Sequence, residues 1–234
     1  MPLLKRIPTG IPGFDELVKG GFKEKSVNLI CGPAGSGKSI FALQFLINGL
    51  KNSKEKGIYI TFEEDKEHVY SNMLNLGWDL KKLEKNGMFT FLQYAPEMVR
   101  ELISQGESGA FGQAIQDSKS KRLVIDSISS FSLLYEKEYE RKRACVELFE
   151  LIRRWGFTAL FTAEDELVSE SSISTELDFE ADSMVFLYNF KAKGKRKRAL
   201  EVYKMRGTSH IRSVLGFDIK KKGIIVNPND IVVF

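Results

Sequence analysis

Residues Gly32-Pro33-Ala34-Gly35-Ser36-Gly37-Lys38-Ser39 fit the pattern G-x-x-x-x-G-K-[ST], whose residue types suit one task, the holding of a polyphosphate. Glycines let the backbone fold tightly enough for successive N–H groups to point at phosphate oxygens. A helix starting there adds positive partial charge at its N-terminus. Lys38 is placed to reach the β- and γ-phosphates and the Ser39 hydroxyl to hold Mg2+; Ile40 continues the binding segment. The expected ligand is ATP with Mg2+.

Three further groups have residue types that act on a bound triphosphate. Leu123-Val124-Ile125-Asp126 is an apolar strand ending in an acid. Such an acid falls at the carboxyl edge of a sheet, where ligands bind in doubly wound folds. Beside a phosphate loop, Asp126 is placed to share the metal, or its water, with Ser39. Thr61-Phe62-Glu63-Glu64-Asp65 sets two adjacent carboxylates after another strand. Either one of them polarises the attacking water, or both are helix-entry acids favoured by the macrodipole; the spacing does not choose. Lys204-Met205-Arg206-Gly207-Thr208-Ser209-His210 carries cations at i and i+2, on one face of a strand. They either meet a γ-phosphate across a subunit boundary, as an arginine finger does, or form a solvated basic strand.

These groups need a scaffold, and the rest of the chain supplies one. Short apolar runs alternate with helical patterns, which predicts an α/β fold with a mainly parallel sheet. Strands are expected over 27–31, 57–62, 88–93, 121–125 and 157–162, and helices over 39–50 and 141–155. Asp65 is a candidate cap for a helix running toward Leu76. The tail changes character: 184–189 and 199–203 flank a Lys/Gly-rich turn and predict an antiparallel hairpin, and 212–219 with 223–226 predict another.

The chain has 234 residues, of which 43% are hydrophobic, enough for a sizeable core and against disorder. One domain spanning 1–234 is expected, with no linker or repeat. No apolar run reaches the ~18 residues that cross a bilayer, and the first residues lack a signal-peptide pattern, so a cytoplasmic protein without membrane contact is expected. Cys31 and Cys145 form no ligand cluster, and Cys31 reads as a buried thiol. The net charge of +4 hides an asymmetry: residues 191–222 hold twelve basic and two acidic side chains, whereas 1–190 hold 23 basic and 28 acidic. Positive charge near the C-terminus attracts anionic partners.

Several segments, in order and over nearly the whole chain, share one likeness: 8–17 with Gly20-Gly21, the phosphate loop, Phe62-Glu63-Glu64, Leu76-Gly77-Trp78-Asp79-Leu80, Ile125-Asp126-Ser127 and 206–210. Together they resemble the KaiC-like branch of the RecA/RadA superfamily of ATPases, as a single-domain member or archaeal-type RadA paralogue. The resemblance implies a RecA-like core whose twisted, mainly parallel sheet is flanked by helices and ends in antiparallel hairpins. It implies Glu63 as catalytic base, assisted by Glu64 and acting with Lys38. It implies Lys204 and Arg206, with Thr208 and His210 nearby, acting in trans on ATP held by the neighbouring subunit of a ring, expected to be a hexamer. The clock proteins of this family carry two such domains where this chain has one. Their autophosphorylated Ser-Thr pair has a counterpart in Ser174-Thr175, but a longer stretch follows it here, which speaks for an ordinary polar loop.

What the ATPase serves is left among three readings: a regulatory ATPase read by a protein partner, a recombination paralogue that binds single-stranded DNA, and a module that holds ATP and barely hydrolyses it. Residues 164–183 carry eight acidic and no basic side chains and repel phosphate. Tyr135 to Arg143 interleaves cations with Tyr135 and Tyr139, as strand-tracking surfaces do, but alternates them with glutamates, as a mixed helix start does. The best nucleic-acid candidates are Lys193, Lys195, Arg196, Lys197 and Arg198, read as a mobile hairpin tip that grips phosphates without reading sequence; the alternative is a solvated turn that keeps an edge hairpin soluble.

Overall fold

The computed structural model describes residues 5–132, 134–164 and 180–233. Along the chain lie β1 (Arg6–Ile7), α1 (Phe14–Leu17), β2 (Phe22–Lys23), β3 (Val27–Gly32), α2 (Lys38–Asn48), β4 (Gly57–Thr61), α3 (Lys66–Asn75), α4 (Leu80–Lys85), β5 (Phe89–Gln93), α5 (Met98–Gln105), α6 (Ala110–Asp117), β6 (Arg122–Asp126), α7 (Ile128–Ser132), α8 (Glu138–Arg154), β7 (Thr158–Glu164), β8 (Ser183–Ala192), β9 (Lys195–Met205), β10 (Leu215–Lys220) and β11 (Gly223–Ile231). The main sheet runs β11-β10-β9-β8-β3-β7-β6-β4-β5. Pairings from β5 to β8 are parallel, and those from β8 to β11 antiparallel.

The central strands β3, β4, β6 and β7 are buried along nearly their whole length and mostly apolar, as strands covered on both faces are. Alternation sorts their side chains. Leu29, Ile60, Leu123, Ile125 and Phe161 point into one core, with Val99, Phe111 and Leu148 from the helices α5, α6 and α8. Ile30, Tyr59, Val124 and Leu160 point into the other, with Phe41, Phe45 and Leu46 of α2 and Met73 of α3. α2 is buried from Phe41 through Ile47, so it is a core helix rather than a half-exposed one.

Arg122 anchors the base of that second core. It is 1% exposed, its Nη1 donating to Pro8 O and Phe45 O at 2.8 Å each and its Nε to Glu55 at 2.8 Å. A Cβ on Gly49 would stand 2.3 Å from Arg122 Nε, so only glycine lets the chain pass this guanidinium. The N-terminal segment is locked in turn: Asp15 accepts from Thr9 N, Thr9 Oγ1 and Gly10 N at 2.6–3.0 Å.

Asp65 caps α3, accepting from the Glu67 and His68 amides, as expected. Helix α8 starts before 141, because Glu138 and Glu140 suit its first turn. Helices α5 and α6 escape the sequence pattern because Gly106 and Gly109 break it between them. The C-terminal hairpin differs most from expectation. Strands β8 and β9 continue to Ala192 and from Lys195, joined only by Lys193 and Gly194, both at positive φ. The basic run is therefore mostly paired strand rather than a loose tip. Ser174, Thr175 and most of the acidic 164–183 stretch lie outside the described residues. Among the described residues, no helix is long and apolar enough to cross a membrane.

Candidate functional site

Four neighbouring strands, in the order β3-β7-β6-β4, deliver their carboxyl ends to one edge. From β3 the chain enters the phosphate loop, from β4 it reaches Glu63 and Glu64, β6 ends on Asp126 and β7 on Glu164. The loop has the backbone its glycines permit: Gly35 and Gly37 have φ of 73° and 108°, and Gly37 leads directly into α2. Lys38 Nζ donates back to Gly32 O at 2.8 Å and to Pro33 O at 3.1 Å. Burial pushes its ammonium pKa down, against the attraction of Glu164 and Asp126.

Asp126 is 8% exposed. Its carboxylate accepts from Tyr59 OH at 2.6 Å and from Thr162 Oγ1. Burial, and then Asp126, drive the Tyr59 hydroxyl pKa well above its ordinary value, so Tyr59 stays a donor. Glu63 and Glu64 follow a turn in which both amides donate to Thr61 Oγ1, at 3.3 and 3.1 Å. Ser130 Oγ donates to Glu63 Oε1. The Glu64 carboxyl is pushed up, first by burial and then by the charges of Asp126 and Glu63. A cavity of about 370 Å3, bordered by Lys38, Ser39, Tyr59, Glu64, Asn72 and Leu76 among others, opens beside the loop.

These residues fit a Mg2+-bound triphosphate. Among the described residues the Ser36 hydroxyl is buried without a hydrogen-bond partner, in a glycine-rich loop of the kind whose amides can cradle an anion. Among the described residues there is no cluster of three metal-ligating side chains. The candidate donors, the Ser39 hydroxyl and the Asp126 carboxylate, would suit an ion that keeps several waters and takes phosphate oxygens.

Lys204, Arg206, Thr208 and His210 do not join this site. Met205 stands opposite Ser183, and Ser183 opposite Asn28 at the start of β3. Gly32 lies four residues farther along β3, so the segment sits about 13 Å or more down the sheet from the loop, at ~3.3 Å per residue. There Arg6 Nη2 donates to Thr208 Oγ1 at 2.8 Å, the Arg206 amide donates to Asp182 O at 2.8 Å, and His210 Nδ1 lies 2.8 Å from Ile211 O. The opposite end of β9 does reach the loop: Arg198 Nε donates to Gly35 O at 3.3 Å. Arg196 Nη1 donates to Asn189 O at 3.3 Å, while Lys193, Lys195 and Lys197 are exposed around the turn. The interleaved segment at 135–143 is a mixed helix start, with Lys137 paired to Glu140 at 3.4 Å and Arg143 to Glu147 at 2.8 Å.

Sequence reasoning missed Tyr59, Thr162 and Ser130. Tyr59 and Thr162 are hydroxyls within largely apolar strands, Ser130 is one of several serines that follow β6, and no motif marks any of the three.

Fold and site together define a phosphate-loop nucleotide-binding protein with a RecA-like sheet. The KaiC ATPase family model matches residues 7–231, and the chain belongs to that family. It is 35% identical over 242 residues to a UPF0273 protein of Pyrococcus furiosus, covering 98% of this chain and 97% of that one. It is 37% identical over 238 residues to the circadian clock protein KaiC3 of Synechocystis sp., covering 96% of this chain but 46% of that one. The crystal structure of a KaiC-like protein from the hyperthermophilic archaeon Pyrococcus horikoshii superposes with a TM-score of 0.83 at 32% identity, covering 97% of this chain and 100% of that one.

Proposed function

We propose that this chain is a Mg2+-dependent ATPase working as a homo-oligomeric ring, a hexamer by family likeness, with ATP at each subunit interface. The observation that carries this is the separation of Lys204 and Arg206 from their own phosphate loop, at the far end of the sheet. A loop with a base and a metal-holding acid, and two cations on the opposite edge, complete each other head to tail, as heterologous contacts close a ring. Within such a site Lys38 and the loop amides hold the triphosphate, Ser39 and Asp126 hold the metal, and Glu63 takes the proton of the attacking water. Mg2+ supplies charge neutralisation at the phosphates. Arg206 and Lys204 from the neighbour stabilise charge on the γ-phosphoryl group.

Mixing tests this reading. Arg206→Ala alone is expected to bind ATP but lose on the order of 10³-fold in kcat, and Lys38→Ala to lose binding. Mixed assemblies contain interfaces in which an intact loop meets an intact Arg206, so turnover returns in part. Co-assembly without any recovery would rule out trans catalysis.

The output has two readings. The position of Arg198 against Gly35 supports a grip on single-stranded DNA by the basic hairpin, as a RadA paralogue in recombination or repair would use, coupled to the loop. The clock proteins among the relatives support a nucleotide state read by a protein partner without DNA. Neutralising Lys193, Lys195, Arg196, Lys197 and Arg198 together discriminates them. On the DNA reading, single-strand binding weakens and its logarithmic salt slope flattens by about 0.7 per lost phosphate contact. No binding by the wild-type protein, or an unchanged slope in the variant, leaves the partner reading.

A further inference from the structure

Helix α7 leaves the site directly after Asp126, on the strand that lies between β7 and β4. It carries Ser129 and Ser130 side by side, and their hydroxyls serve opposite flanks. Ser130 Oγ donates to Glu63 Oε1 beyond the end of β4. Ser129 Oγ accepts the Glu164 amide at 2.7 Å, at the end of β7. The short helix is thus braced against both neighbouring strand ends. Ser130 is 6% exposed, so water competes little for its hydroxyl, whereas Glu63 is exposed.

We propose that Ser130 is a positioning residue for Glu63, the hydroxyl that fixes one carboxylate oxygen so that the other faces the attacking water. The inference rests on the ATPase reading above. An exposed glutamate rotates about three bonds, and a general base works only within hydrogen-bond reach of the proton it takes. With Oε1 held by Ser130, Oε2 receives the water proton while the water oxygen bonds to the γ-phosphorus and the bond to the β-phosphate oxygen breaks, its electron pair leaving on ADP. Ser129 contributes at one remove, by holding α7 against β7.

The test uses the assembled full chain with ATP and Mg2+. Ser130→Ala is expected to lower kcat about tenfold with KM unchanged, short of the ~100-fold or greater loss of removing a general base outright in Glu63→Gln. Ser130→Thr keeps a hydroxyl and returns to within about threefold of wild type. Added to Glu63→Gln, Ser130→Ala costs less than about twofold more, because the group it positions is gone. If Ser130→Ala melts early, Ser130→Cys, nearly isosteric and a weak donor, reads the same loss in a folded protein. Wild-type kcat in Ser130→Ala, or an equal loss in both backgrounds, overturns the proposal. Absence of ATP turnover in the wild-type protein removes the ATPase reading itself; wild-type turnover in Glu63→Gln removes Glu63 as the base and this inference with it; a normal loss there with none in Ser130→Ala removes only the positioning role of Ser130.

Discussion

The two ends of the sheet are built differently. At the carboxyl end, Lys38, Asp126, Glu63 and Glu64 converge from separate strands, and buried hydroxyls of Tyr59 and Thr162 hold the central acid. At the amino end, Lys204, Arg206, Thr208 and His210 come from one continuous segment, tied to the body by Arg6 and the Asp182 carbonyl. The first arrangement is a preorganised pocket, in which Asp126 and Glu63 are oriented by hydroxyls from other elements and Lys38 by carbonyls of its own loop. The second is a short segment whose cations lie at the far end of the sheet from the phosphate loop, and the proposed function makes it a donor to a neighbouring subunit. Strand β9 joins the two, with Arg198 against the loop at one end and Lys204 near the other. The difference teaches where each function resides. On the proposed function, holding nucleotide belongs to the folded subunit and completing the reaction to the assembly.

Paired threonine substitutions sharpen that contrast. Thr162 is fully buried and donates to Asp126, so Thr162→Val keeps the shape and removes one orienting bond from the acid proposed to hold the metal. Outer-shell groups of this kind are worth about 10–100-fold in metal affinity or activity, and the Mg2+ concentration for half-maximal nucleotide binding is expected to rise within that range. Thr208→Val removes the acceptor of the Arg6 bond at the opposite edge. It should leave the Mg2+ requirement of nucleotide binding untouched and lower only turnover by the assembled protein. A Mg2+ titration of both variants, read by nucleotide binding, checks the pair. An unchanged midpoint in Thr162→Val would break the assignment of Asp126 to the metal.

The same contrast explains what was legible in the sequence. The phosphate loop is readable because its chemistry is local: consecutive amides, glycines at positive φ and a helix start all follow from neighbouring residues. Asp126 is readable because an acid directly after an apolar strand can occupy only the edge. Tyr59, Thr162 and Ser130 are not, because they meet Asp126 and Glu63 only once β4, β6 and β7 stand side by side. Arg122 gives the sharpest case. It follows the exposed Lys121, and nothing in that pair distinguishes them, yet the strand register turns Arg122 into the core between Phe45 and Glu55. The basic hairpin was legible in charge but not in form. Its lysines and arginines mask the strand alternation of β8 and β9, and backbone pairing, not composition, sets where they turn.

The smallest expected effect concerns Glu64, an exposed carboxylate that borders the cavity beside the loop. Burial, then Asp126 and Glu63, hold its carboxyl above the ordinary 4.5. A carboxyl raised in the folded state favours folding at low pH, where both states are protonated. That contribution is lost as pH climbs from the ordinary carboxylate range through the raised folded value. Glu64→Gln removes the titration, so the variant should gain on wild type as pH rises through this window and hold a constant lead above it. Glu64 is exposed at its surface, and solvent screening keeps the lead below about 1 kcal/mol, which is at most ~2–4 °C in melting temperature for a chain of this size. Added salt should shrink only the part due to Asp126 and Glu63, because burial is not screened. Nucleotide-free melting curves of both proteins across the window, at low and high salt, measure the difference. A constant offset at every pH would show that Glu64 meets solvent like any surface carboxylate, and that the carboxyl end of the sheet is less enclosed than the contrast with the Lys204–Arg206 end requires.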